Sequence, residues 1–170
     1  RRCAEAGVDI INDISSGSFD KEMVPTVAAF GIPYILMHMK GTPATMHEHA
    51  TYTNVTSDVL DFFIRKMDEC RKTGINDLII DPGFGFAKTT QHNFTLLKNL
   101  SVFNMLDAPL MVGFSRKSSI YKTLGVSANE ALNGTTVLHT IALMNGAHIL
   151  RVHDVKEAKE AIKLFDAVRN

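Results

Sequence analysis

Several short clusters of reactive side chains punctuate this sequence, and each follows a run of apolar residues. Asp81-Pro82-Gly83-Phe84-Gly85-Phe86-Ala87-Lys88 is the most informative of them. A carboxylate at Asp81 can accept two hydrogen bonds from a planar donor pair, such as an amino group beside a ring NH. Gly83 and Gly85 let the backbone turn sharply and come close to a flat ligand. Phe86 could stack on such a ligand or border a neighbouring pocket. The plain alternative is a strand-end Asp that caps a turn. A dinucleotide fingerprint is not formed, because the G-x-G-x-x-G spacing is missing.

Gly113-Phe114-Ser115-Arg116-Lys117-Ser118 follows the next apolar run. A glycine, two cations and flanking hydroxyls suit an anionic or electron-rich ligand at a helix start. The spacing is not that of a nucleotide P-loop, and a solvated basic turn is the plain alternative. In Arg151-Val152-His153-Asp154, strand alternation sends Arg151 and His153 to one side. A guanidinium and an imidazole there could hold oxyanions, with Arg binding phosphate through its planar fork. The competing reading is a salt bridge from Arg151 to Asp154. Asn12, in Asn12-Asp13, offers both a donor and an acceptor for a heterocycle edge. Met37 in Met37-His38-Met39-Lys40 could line a flat pocket, and His38 could donate a hydrogen bond. A zinc site from His38, His47 and His49 is a weaker idea, since they sit in a loop without a regular ligand pattern.

The elements that position these clusters can be read from hydrophobic pattern. Strand-like runs fall at Val8 to Ile11, Tyr34 to Met37, Leu78 to Ile80, Leu110 to Val112 and Ile149 to Val152. They are short and mostly unalternating, as buried parallel strands are. Helical segments fall at Lys21 to Phe30, Val55 to Thr73, Asn93 to Leu100, Ala128 to Met144 and Val155 to Val168. Arg1 to Gly7 reads as the last turn of a helix with Gly7 as its stop. Strand and helix in alternation mean βαβ units and a parallel sheet, an α/β fold. A doubly wound sheet would concentrate its chemistry at one switch point. Here every strand ends in reactive residues, which fits a barrel ringed by its strand-to-helix loops. Five units are present where a barrel needs eight, so the chain reads as a barrel truncated at its N-terminus.

Composition bounds the partners. Apolar residues make up 45% of the 170, and 18 Lys plus Arg balance 18 Asp plus Glu. No basic field points to nucleic acid or to an anionic membrane. No apolar run approaches the roughly 18 residues that span a bilayer. The two cysteines, Cys3 and Cys70, lack metal-ligand spacing and read as free thiols of a cytoplasmic protein.

Taken in order, Ile11-Asn12-Asp13, Met37-His38-Met39-Lys40-Gly41-Thr42-Pro43, Asp81 to Phe86, Gly113 to Ser118 and Arg151 to Val155 resemble the motifs of dihydropteroate synthases. The resemblance implies a TIM-type (β/α)8 barrel, of which residues 1–170 would be the fourth to eighth units in a single pterin-binding domain. It implies condensation of a hydroxymethyl-dihydropterin diphosphate with p-aminobenzoate, releasing diphosphate. By motif, Asn12, Met37, Asp81, Gly113 and Lys117 would bind the pterin. Phe86, Lys117 and Ser118 would border p-aminobenzoate, where sulfonamides compete. Arg151 and His153 would hold the diphosphate, and Lys117, Arg151 and His153 would form the catalytic set. No metal ligand is expected in this segment. Magnesium is expected from the family, with its main ligand in the missing N-terminal part. A homodimer is expected of the full-length protein, and the segment alone is expected to be inactive. Lys40 and Ala87 depart from the Gln and Gly common in the family. The nearest alternatives are a methyltetrahydrofolate methyltransferase domain on the same barrel and a pterin-binding remnant without activity.

Overall fold

A computed structural model describes residues 1–169; Asn170, the last residue of the expected domain, lies outside the described residues. The elements run in chain order as α1 (Arg2–Glu5), β1 (Ile11–Asp13), α2 (Met23–Phe30), β2 (Tyr34–Met37) and α3 (Val55–Thr73). They continue with β3 (Leu78–Asp81), α4 (Thr90–Lys98), a 3-10 segment Leu100–Leu106, β4 (Met111–Val112) and α5 (Ser118–Leu124). A 3-10 turn Ala128–Glu130, α6 (Leu132–Met144), β5 (Ile149–Leu150) and α7 (Val155–Arg169) complete it.

The strands are parallel and lie side by side in chain order. β1 pairs with β2, β2 with β3, and β4 with β5. A parallel bridge from Ile80 to Leu110 joins the two groups. A doubly wound sheet reverses its strand order at a switch point; these five strands never do. Layering gives the same answer. Tyr34, Leu36, Leu78, Ile80, Leu110 and Val112 pack into one cluster with the helices. Ile35, Met37 and Met111, which alternate with them, lie outside that cluster although they are buried. Helices therefore cover one face of the sheet, and the other is the inner face of a barrel wall.

The longest helix shows how the sequence builds this wall. The Asn54 side chain accepts hydrogen bonds from the N–H groups of Thr56 and Ser57 at 3.0 and 3.2 Å and starts α3. Val55, Val59, Phe63, Met67 and Cys70 recur at helical spacing and are all buried. Full burial of a side chain such as Phe63 contributes about 1.5–3 kcal/mol. Gly74, with φ 104°, ends the helix in the left-handed conformation.

The boundaries differ from the sequence pattern in identifiable ways. The first strand begins at Ile11 rather than Val8, because its ladder starts where Ile11 N–H meets the Pro33 carbonyl beside β2. Val8 and Ile10 remain exposed. The fourth helix starts at Thr90, because Thr89 and His92 form a capping box there. The expected helix from Ala128 is split, because Ser127 and Glu130 close a separate 3-10 turn before Leu132. Helix α5 was visible in the sequence only as a helix start.

Candidate functional site

Strand register decides which side chains share the inner face. Asn12 pairs with Ile35, and Met37, two residues on, pairs with Asp81. The Ile80–Leu110 bridge places Met111, and hence Gly113, on the same face as Asp81. Val112 pairs with Leu150, so Arg151 falls opposite Gly113. Asn12, Met37, Asp81, Gly113 and Arg151 thus line one face at the C-terminal mouth of the strands. Met37 and Asp81 are buried there, whereas Asn12, Arg151 and His153 are exposed.

Asp81 accepts the Gly83 N–H at 2.8 Å through one carboxylate oxygen. Burial raises its pKa, against the opposing pull of the Gly83 hydrogen bond and of the Lys117, Arg151 and Lys88 charges. Lys117 reaches from the loop after β4 to the loop after β3 and donates to the Phe84 carbonyl. Its ammonium sits 5.1 Å from the centre of the Phe86 ring. Gly85 allows this crossing, since a Cβ there would lie 3.2 Å from the Lys117 stem. Burial lowers the Lys117 pKa to about 8, with Asp81 holding it up and Arg151 pushing it down. The Arg151 guanidinium lies over Gly113, where a Cβ would come within 3.1 Å of it. Asp81, Phe86, Gly113, Lys117 and Arg151 therefore converge. Ser118 follows Lys117 as the first residue of α5, half-buried. His153 is tied to the loop after β4 through its backbone, whose N–H donates to Ser115 Oγ at 3.2 Å.

Arg151 does not pair with Asp154. That partner is Arg116, whose Nε and Nη2 donate to the two Asp154 oxygens at 2.9 Å each. Arg116 also donates to the carbonyls of Ala128 and Asn129. Its charge is engaged in joining the loops after β4 and β5, so only Lys117 of the two adjacent cations is free to face a ligand. The pair also leaves Arg151 without a carboxylate partner among the described residues.

Sequence reasoning missed two further groups. Asp13 is a structural anchor. It accepts the Tyr34 hydroxyl at 2.6 Å, the N–H and hydroxyl of Ser15 at 2.8 Å each, and the Gly17 N–H at 2.7 Å. Burial raises its pKa, but the Tyr34 and other hydrogen bonds outweigh that and leave it below 3.8. Tyr34→Phe removes one bond to this buried charge and is expected to cost about 1.5–3 kcal/mol, read from the urea midpoint. Because the folded pKa lies below the unfolded one, the contribution is full above about pH 4 and is lost as pH falls through the folded value. The phenylalanine variant should narrow its difference from the parent as the medium is acidified.

Lys88 is the second missed group. The only sequence signal was a lone cation ending a glycine- and phenylalanine-rich run. Its ammonium approaches His38 Nδ1 at 3.0 Å and the carbonyls of His38, Gly83 and Phe86 at 3.3, 3.1 and 3.0 Å. His38 is buried, and burial with the neighbouring Lys88 and Lys40 charges lowers its pKa to about 2. It is therefore neutral, and as an ammonium has no acceptor, Nδ1 accepts and Nε2 carries the proton. His38, His47 and His49 form no metal cluster; no group of three His, Cys, Asp or Glu able to hold a metal occurs among the described residues. The charged side chains near the mouth are the cations Lys117, Arg151 and Lys88 around the single carboxylate Asp81, so these residues do not by themselves fit magnesium.

Residues 1–153 match the family model described as pterin binding enzyme. This chain belongs to the pterin-binding enzyme family. It is 44% identical over 169 residues to the dihydropteroate synthase of Escherichia coli strain K12, covering 98% of the chain and 60% of that relative. A Yersinia pestis dihydropteroate synthase solved with a sulfonamide drug superposes with a TM-score of 0.94 at 40% identity, over 98% of this chain and 61% of that one. The Thermus thermophilus dihydropteroate synthase in complex with 4-aminobenzoate gives 0.91 at 36% identity, over 96% and 64%. The chain thus spans about three-fifths of the length of these family members. Ala87, where the sequence departs from an expected glycine, sits at φ 48°, in the left-handed region that glycine occupies without strain. No described helix is long and apolar enough to cross a membrane.

Proposed function

We propose that this chain supplies the fourth to eighth units of a dihydropteroate synthase barrel and most of its substrate-binding mouth. The observation that carries this reading is the convergence of Asp81, Phe86, Gly113, Lys117 and Arg151 at one end of the strands. Asp81 accepts hydrogen bonds from the amino group and ring NH of the pterin, with Asn12 and Met37 completing that pocket. Arg151 and His153 hold the diphosphate. Phe86, Lys117 and Ser118 border the p-aminobenzoate.

In the reaction, the bond between the pterin methylene carbon and the diphosphate oxygen breaks, and its electron pair leaves with diphosphate. A carbon–nitrogen bond forms to the amine of p-aminobenzoate, which then loses a proton to solvent. Fixed cations beside the leaving oxygens stabilise the charge that develops there. An aniline amine is already nucleophilic at neutral pH, so the site mainly positions the two reactants and shields the cationic carbon. Free thiols at Cys3 and Cys70 support a cytoplasmic setting. Exposed Met144, Leu164 and Val168 on α6 and α7 support a homodimer of the complete barrel.

The test is diphosphate release from the pterin diphosphate by this chain joined to the part of the Escherichia coli relative that it does not span. Release should require p-aminobenzoate and collapse in Lys117→Ala, and the 170-residue chain alone should show none. Pterin binding without such release would overturn the synthase reading and favour a methyltransferase or binding-only domain.

A further inference from the structure

The loop between β3 and α4 has an unusual backbone. Gly83, Gly85 and Ala87 all have positive φ, at 69°, 82° and 48°. That alternation turns the Gly83 and Phe86 carbonyls toward one point, and the His38 carbonyl reaches the same point from the loop after β2. Three carbonyls and an imidazole nitrogen make a cage with no donor of its own. Lys88 fills it, 8% exposed, with three protons for these acceptors. An apolar side chain would leave the carbonyls unpaired in a buried place, which costs each its desolvation. The two loops also touch directly, as His38 N–H donates to the Asp81 carbonyl at 3.0 Å and a Cβ on Gly83 would collide with the His38 carbonyl.

We propose that Lys88 is a positioning residue for pterin: its ammonium locks the loops after β2 and β3 together, so that Asp81 and Phe86 are held in the arrangement that receives the ligand. The inference rests on the pterin site proposed above and goes beyond it, because Lys88 is caged behind the Asp81–Phe86 loop. Its charge also reaches the Asp81 carboxylate, whose ionised form it favours. The ionisable groups around it are His38 and Lys40 from the β2 side, Asp81 on β3, His92 on α4 and Lys117 from the β4 side. His38 is neutral, so the cation that matters in the cage is Lys88 itself.

Burial lowers the Lys88 pKa to about 7, with Asp81 raising it and Lys117 and Lys40 lowering it further. The protonated form is the one that fills the cage. Pterin affinity should therefore fall as pH rises through about 7, and a further limb from Lys117 should lie near 8. The test is calorimetric titration of the joined protein with an unphosphorylated pterin across this range. Lys88→Met should weaken pterin binding by about tenfold or more and abolish the limb near 7 while keeping the one near 8. Methylammonium should restore part of the affinity of Lys88→Ala, by refilling the cage with a cation. Unchanged affinity and an unchanged pH profile in Lys88→Met would overturn the role. Should the variants fail to fold, NMR of the Lys88 ε-methylene in the parent decides. Its titration should move to higher pH when pterin binds, and a titration indifferent to pterin would sink the inference. Diphosphate release measured alongside separates the two proposals, since pterin affinity reports on Lys88 even where no condensation follows.

Discussion

Asp81→Ala should abolish measurable pterin binding. The carboxylate is expected to receive two hydrogen bonds from the pterin edge, and each bond to a charged group is worth about 1.5–3 kcal/mol. Losing both weakens binding by about two to four orders of magnitude. Asp81→Asn should do almost as badly, because its amide turns a donor toward a ligand donor. The loss would extend to the neighbouring cations. Asp81 raises the pKa of both Lys117 and Lys88, so its removal drives both ammonium groups further toward the neutral amine. The measurement is calorimetry with an unphosphorylated pterin on the joined protein, with circular dichroism to show that the fold survives. The site is buried and packed on one side by Phe84 against Phe114, with ring centres 4.0 Å apart, so a local change need not unfold the wall. Pterin affinity within about threefold of the parent would place the pterin away from Asp81, and with it would fall the reading of the whole mouth.

Which parts of this arrangement were legible in the sequence follows from distance along the chain. The strand at Tyr34 to Met37 and the helix at Val55 to Thr73 are local patterns, and both occur where the pattern placed them. The clusters at Asp81, Gly113 and Arg151 were visible because reactive residues directly follow apolar runs, and a barrel puts every such position at one mouth. Partner choice was not visible. Arg151 and Arg116 are both cations near Asp154 in the fold, and only the structure shows that Asp154, 38 residues away, takes Arg116. Lys88 meets His38 across 50 residues, and Tyr34 meets Asp13 across 21. Each pairing depends on which loops the strand order makes neighbours. The short strands at Ile11 and Ile149 were misjudged in length for a related reason. Val8, Ile10 and Val152 are apolar enough to read as strand, but a ladder exists only where an adjacent backbone faces it.

Arg151→Ala is the substitution expected to separate binding from catalysis. Arg151 lies over Gly113 without a carboxylate partner among the described residues, because Arg116 occupies Asp154. On the proposed reading this cation faces the diphosphate, whose negative charge rises by one when the carbon–oxygen bond breaks. Removing one such preorganised donor typically lowers kcat by about 10²–10³. Affinity for an unphosphorylated pterin should stay within about threefold, since that ligand carries no leaving group. Arg151→Lys should recover only part of the rate, because an ammonium keeps the charge but loses the planar fork. The steady-state readout is diphosphate release at saturating p-aminobenzoate. A fall in pterin affinity with kcat preserved would assign Arg151 to the heterocycle instead, and the leaving group would then have to be held by His153 and by residues outside this chain.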